Sequence, residues 1–375
     1  MNLRASHIYL LSLLALLTGA DSALAVPAAP GTHVLKQADG STIKARQWGD
    51  EWQHGWETVS GYSILFDAQQ ATWVYADRNA FGQLIPSATA VRAEETSDAA
   101  LKGKLFTPQY PSGREITRHL RPTGEAKASA RQKAALSAGG ARDTRQKTVP
   151  PSGTGRLPVL MINFNDTSST YSAADFDTLL FSGTSGFTLK NYYEEISYSK
   201  FTLNGTVSNW STAAHTHDYY GQNDGNGEDM YPAALVEEAV MAADPGTDFA
   251  QYDTDGDCYA DVVAVIHQGS GEEAGGPASD IWSSRWNLNQ AARFGAGSSG
   301  EYTTNDPCPG GGFIKVNDYI LQAETLNGGQ QTIGVFAHEY GHSLGLPDLY
   351  DTDNTSSGLG RWALMAGGSW NQQNR

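Results

Sequence analysis

Cysteine is nearly missing from this 375-residue chain, which has only Cys258 and Cys308. Two thiols cannot build a disulfide framework or a four-cysteine metal site. They can form one bridge, expected if the chain is exported, closing a loop of about 50 residues worth roughly 4 kcal/mol in the chain-entropy model. Long apolar runs are also missing beyond the first 25 residues, which excludes a membrane-spanning helix of about 20 apolar residues. Basic residues are scarce in the C-terminal part. From Leu157 onward there are 28 Asp and Glu against 7 Lys and Arg, a balance of −21. Such a surface repels nucleic acid and anionic membranes. The net charge of −16 is less extreme only because Arg114 to Arg156 carries 10 Lys and Arg against 3 Asp and Glu.

What is present divides the chain into four parts. Residues 1–25 have the form of a secretory signal: Arg4 is followed by an apolar run over Ile8–Leu17, and Ala23-Leu24-Ala25 fits a cleavage site. A secreted, extracellular protein is expected. Residues 26–120 form a β-rich unit, with short runs such as TWVYAD (Thr72–Asp77) bounded by turn residues and an Asp39-Gly40 hairpin signal. Residues 121–155 contain no aromatic side chain and hardly a large aliphatic one, so they cannot bury a core and read as a flexible basic connector. Its Arg and Lys residues suit cutting by a trypsin-like activating protease, and a plain interdomain linker fits the same composition. Residues 156–375 interleave strand-like and helix-like runs, which gives an α+β domain. LPVLMINF (Leu157–Phe164) and DVVAVIHQG (Asp261–Gly269) read as buried strands, and Thr188–Ile196 and Pro232–Ala243 as helices. FIKVNDYILQAE (Phe313–Glu324) alternates like a half-exposed strand or hairpin, and its part Tyr319–Glu324 is expected to pair with an extended peptide. A β-unit, a cleavable connector and a hydrolase-like domain make the layout of a zymogen.

The chemistry concentrates in HEYGHSLGLPDLYD, His338 to Asp351. On a helix, positions four apart share a face, so His338 and His342 can both turn a ring nitrogen toward one zinc ion. Glu339 lies about 100 degrees round and can reach a water there as general base. A catalytic zinc takes three protein ligands, yet no His, Glu or Cys follows His342. The remaining carboxylates are Asp348, Asp351 and Asp353. Gly345 can end the helix in a left-handed conformation and Pro347 prevents its continuation, which makes Asp348 the expected third ligand and Asp351 the reserve. The run H-E-x-x-H-x-x-G-x-x-D resembles the metzincin pattern with Asp in the last position, and Met365 in ALMAGGSW fits a Met-turn beneath the site.

With these residues in hand, the chain resembles the immune inhibitor A-like family of secreted bacterial metalloproteases. The resemblance rests on HEYGHSLGLPDLYD, LMAGGSW, YDTDGDCYADVVAVIHQGSGEE and DIWSSRW, and extends to GDEW, ETVSGYSILFD and WVYAD near the N-terminus. It implies a metzincin-like zinc endopeptidase made as a precursor, with His338, His342 and Asp348 as ligands, Glu339 as base, and proteins or peptides as substrates. Ser284 stands where relatives tend to carry His. The chain ends ten residues after Met365, where relatives continue, so a truncated C-terminus is expected.

Other motifs carry weaker expectations. Asp253, Asp255, Asp257 and Asp261 set carboxylates around Gly256 in a pattern that suits Ca²⁺, although it is not an EF-hand. His215 and His217 would share a face on a strand, but an ordinary surface loop is expected. His267 reads as structural or near the cleft. The N-terminal unit has no cysteine to cap a zinc ion; Asp50, Glu51 or His54 could do so, or the block is steric. The rival to an enzyme is a calcium-dependent surface-binding protein on a degenerate peptidase fold, which intact His338, Glu339 and His342 argue against.

Overall fold

A computed structural model describes residues 24–93, 107–123, 149–184, 187–224, 227–351, 356 and 358–371. The expected leader, all but its last two residues, lies outside the described residues, as do most of the connector and Asp353.

Alternating short strands in the N-terminal part build a six-stranded antiparallel meander. After β1 (Leu24–Ala25), its strands are β2 (His33–Lys36), β3 (Thr42–Asp50), β4 (Gln53–Thr58), β5 (Ser63–Asp67), β6 (Thr72–Arg78) and β7 (Leu84–Ala90), each hydrogen-bonded to the next from β2 onward. The first hairpin turns at Gly40, whose φ of 83° is open to glycine without strain. Ile43, Ala45, Tyr62, Ile64 and Tyr75 form the unit's core.

The C-terminal part is built on a second sheet. Its strands are β8 (Gly153–Asn163), β9 (Phe201–Thr212), β10 (Val263–Ser270) and β11 (Ser284–Asn287), then, after a separate hairpin of β12 (Tyr302–Pro307) and β13 (Phe313–Val316), β14 (Asp318–Leu326) and β15 (Gly329–Gln330). The order is β1-β11-β14-β10-β8-β9; β14, β10, β8 and β9 are parallel and β11 and β1 antiparallel. Both faces of the parallel strands are covered, which is why their sequences are continuously apolar. Leu160, Ile162, Val263 and Val265 face the helix Pro232–Ala243. Met161, Ala264, Ile266 and Ile320 face the helices Leu189–Ile196 and Ile333–Ser343.

One expectation needs correction here. Phe313–Glu324 is neither a half-exposed strand nor a hairpin, because it breaks at Asn317 into β13 and β14, which do not pair with each other, and β14 is buried between β10 and β11. Its alternation reflects polar groups taken inside the protein, such as the Glu324 carboxylate, which accepts from the Tyr171 nitrogen at 2.7 Å and the Gly269 nitrogen at 3.1 Å. Tyr319–Glu324 therefore offers no edge to a peptide. On this side the outer strand of the domain is β11, with β9 at the opposite edge, and β1 already pairs with β11, Leu24 opposite Arg285 and Ala25 opposite Ser284. Leu120, the last residue of the expected N-terminal unit, accepts a hydrogen bond from Ser63, and Val149, near the end of the expected connector, packs in the C-terminal core.

Candidate metal centre

The motif helix spans Ile333–Ser343 and is buried from Val335 onward. Its end follows the local chemistry. Gly345 takes a φ of 88° and its nitrogen bonds to the His342 carbonyl at 2.9 Å, while the Leu346 nitrogen returns to the Gly341 carbonyl at 3.1 Å. The chain then folds under the helix, where the Leu349 nitrogen bonds to the Met365 carbonyl at 2.6 Å. Met365 lies against the helix itself: a Cβ on Gly341 would meet its sulfur at 2.8 Å.

Three side chains converge at this bend. The His338 and His342 Nε2 atoms are 3.0 Å apart, and Asp348 Oδ1 lies 3.1 Å from the first and 3.3 Å from the second. Each ring is fixed from behind, His338 Nδ1 against the Leu364 carbonyl and His342 Nδ1 against the Leu346 carbonyl, both at 2.8 Å. A carbonyl can only accept, so each Nδ1 carries a proton, and each ring in its neutral form presents an Nε2 lone pair. Two lone pairs and a carboxylate oxygen thus point at one spot, a repulsive arrangement unless a cation sits there. Ligands of a tetrahedral zinc with Zn–N near 2.05 Å are separated by about 3.3 Å, so the donor set fits that ion. The carbonyls behind the rings supply the orienting outer bonds that metal-binding histidines use. Asp351 turns elsewhere, accepting from the Ser356 nitrogen at 2.7 Å.

Glu339 is fully buried beside this centre. One carboxylate oxygen accepts from the Val26 nitrogen at 2.9 Å and the other has no hydrogen-bond partner. Burial, and next the Asp348 charge, hold its carboxyl well above the usual range. Val26 belongs to a segment that lies across the cleft. Its carbonyl accepts from the Trp282 indole at 3.0 Å, the Pro27 carbonyl from the Trp370 indole at 2.7 Å, and the Ala29 nitrogen donates to the Glu273 carbonyl at 2.7 Å. Sequence reasoning missed Val26, Trp282 and Trp370. Their one signal is the tryptophans of DIWSSRW and AGGSW, which periodicity does not interpret.

The remaining candidates separate clearly. Asp50 accepts from the Trp52 and Gln53 nitrogens at 3.1 Å each, and burial raises its pKa to about 6. Both Glu51 oxygens are buried without hydrogen-bond partners, and Asp348 and Glu339 add to the burial that raises its carboxyl. His54 reaches not the centre but Glu272, at 3.3 Å. Asp253, Asp255 and Asp261 bring carboxylate oxygens within 4.8 Å of one another; Asp257 is not in that group. His215 stacks on Tyr219 and His217 pairs with Asp280 at 2.9 Å, so the two do not share a site. His267 is buried beside Phe164, and burial lowers its pKa to about 4. Ser284 begins β11, and Cys258 and Cys308 form a disulfide.

The catalytic-domain model described as "Immune inhibitor A peptidase M6" matches residues 163–375, more than half of the chain. Immune inhibitor A of Bacillus thuringiensis subsp. alesti is 37% identical over 206 residues, covering 49% of this chain and 28% of that protein. Pre-pro-metalloprotease PrtV of Vibrio cholerae serotype O1 (strain M66-2) is 33% identical over 229 residues, covering 53% of this chain and 24% of that protein. The chain spans about a quarter of the length of these relatives. With the match running through the motif helix and the bend that follows it, the chain belongs to the immune inhibitor A, or M6, peptidase family.

Proposed function

We propose that this chain is a zinc-dependent endopeptidase, secreted as a precursor whose N-terminal β-unit closes the cleft. The observation that carries the reading is the convergence of His338 Nε2, His342 Nε2 and Asp348 Oδ1 on one point. A zinc ion held there would polarise the scissile carbonyl and acidify a water. Glu339 would take up that water's proton and return it to the leaving nitrogen. Once vacated, β11 can hold an extended substrate by the main-chain pairing that Leu24 and Ala25 now make.

The precursor reading is supported by the segment over the cleft. While the Val26 nitrogen occupies Glu339, that carboxylate cannot serve a substrate. Cleavage after Ala25, the expected leader site, would turn this nitrogen into an α-ammonium beside the same carboxylate. A trypsin-like activating protease would then cut the basic connector. One relative's name, pre-pro-metalloprotease, records the same kind of precursor for that protein. Asp253, Asp255 and Asp261, with Asp257 beside them, would add a calcium-binding loop remote from the chemistry.

The full-length, connector-cleaved protein should contain one zinc and hydrolyse casein in a chelator-sensitive way. Glu339→Ala should keep the zinc and lose activity by about 10²–10⁴-fold. Residual casein cleavage near the wild-type rate would refute the assigned base, and a zinc-free wild type would refute the centre.

A further inference from the structure

His54, on β4 of the N-terminal unit, is inserted into the C-terminal domain. Its ring stacks on Trp282 with centroids 4.5 Å apart and planes 28° from parallel. Its Nδ1 donates to its own unit, at the Asp50 carbonyl 2.9 Å away, and its Nε2 lies 3.3 Å from Glu272 Oε1. The receiving pocket is acidic and built. Glu272 is 2% exposed and its two oxygens accept from the Asn223 amide at 3.2 Å each. Asp229 accepts from the Trp282 nitrogen at 2.9 Å through one oxygen, while its other oxygen is buried with no hydrogen-bond partner. Trp282 also holds the carbonyl of Val26, so the pocket opens beside the chain that lies in the cleft.

We propose that the space His54 fills is a subsite of the active enzyme for an arginine side chain of the substrate. This rests on the peptidase reading above and on release of the N-terminal unit. Departure of His54 leaves Glu272 and Asp229 without the cation they now face, and two neighbouring carboxyl groups favour taking up another. The partners left behind match a guanidinium better than an ammonium: an indole face for stacking and carboxylate oxygens for its forked donors. While the N-terminal unit is docked, room exists for a side chain longer than histidine. A cavity of about 740 Å³ between the two parts, lined by His54, Trp56 and Glu272, lies to one side. A second of about 220 Å³, lined by Asp229, Trp282 and Glu51, lies to the other. The charge of His54 is itself maintained by this pocket. Burial opposes it, but Glu272 and then the Asp50 carbonyl and Asp229 raise its pKa to about 9.

Two measurements test the subsite. In the full chain, His54→Ala empties the pocket without activating anything. Agmatine should raise the melting temperature of this variant by at least about 3 °C, uncharged propylurea should not, and His54→Ala/Glu272→Gln should lose the effect. Equal effects of agmatine and propylurea, or none, overturn the proposal whether or not the protein proves to be a peptidase. In the connector-cleaved protein, peptide-library cleavage should enrich arginine at one position relative to the scissile bond. Glu272→Gln should then lower the ratio of kcat/KM for arginine over norleucine peptides at least about tenfold. No basic enrichment, or an unchanged ratio, overturns it. Absence of any chelator-sensitive cleavage sinks the peptidase reading instead, and leaves the agmatine result to decide the pocket.

Discussion

Gly341 lies between the two histidines, on the side of the motif helix turned to Met365. A methyl group there would sit 2.8 Å from the methionine sulfur, so the buried Met365 side chain must give way and press on the turn that carries it. Because Leu364 orients His338 and the Met365 carbonyl holds Leu349 next to Asp348, that movement reaches the donor set. Gly341→Ala should therefore destabilise the protein by about 1–3 kcal/mol, the usual cost of overpacking, and weaken zinc retention. Urea unfolding and metal analysis after dialysis check both, and wild-type values on each would refute the link. Residues of this kind were legible where the interaction is local. His338, His342, Gly345 and Asp348 occupy one turn and one bend, so spacing alone sets their geometry. The contact of Val26 with Glu339 joins positions 313 apart and leaves no trace in any window of sequence.

Elements were legible to the extent that their environment is uniform. The helix Pro232–Ala243 and the core of β8 follow from pattern because packing agrees with local preference. Strand β14 misleads because its polar residues are buried among partners from distant segments, which alternation cannot distinguish from exposure to water. The loop Asp253–Asp261 is a third case. Its aspartates accept from its own backbone, Asp253 from the Gly256, Asp257 and Cys258 nitrogens, and Asp261 from Thr254. The disulfide from Cys258 fixes one end to Cys308. Burial, with Asp255 and Asp253 adding to it, raises Asp261 to about pH 6, as expected where negative charge gathers. If calcium binds here, millimolar Ca²⁺ should raise the melting temperature and Asp255→Asn should reduce the rise. An unchanged melting curve would dismiss the calcium loop.

At the level of the whole molecule, His54 ties the two parts together through charge. Its pKa in the docked state, about 9, stands above the ordinary 6.5. The sign follows directly: the contribution is complete below about pH 6.5 and disappears as pH rises through 9. The difference is worth about 3 kcal/mol at most. Release of the N-terminal unit from connector-cleaved protein, followed by size-exclusion chromatography, should therefore increase between pH 8 and 10. His54→Gln should remove that rise. A pH-independent release in the wild type would show that the imidazole is not the tie. The association itself was not legible, because composition separates the two parts at the connector and offers no measure of how they pack.

The pairing of Leu24 and Ala25 with β11 also couples two properties that are usually considered apart. Whatever lies along that strand satisfies main-chain groups that would otherwise face solvent as an open seam. If the leader leaves after Ala25, the seam therefore opens before the cleft does, and every extended chain in the surroundings becomes a competitor for the same rungs by mass action.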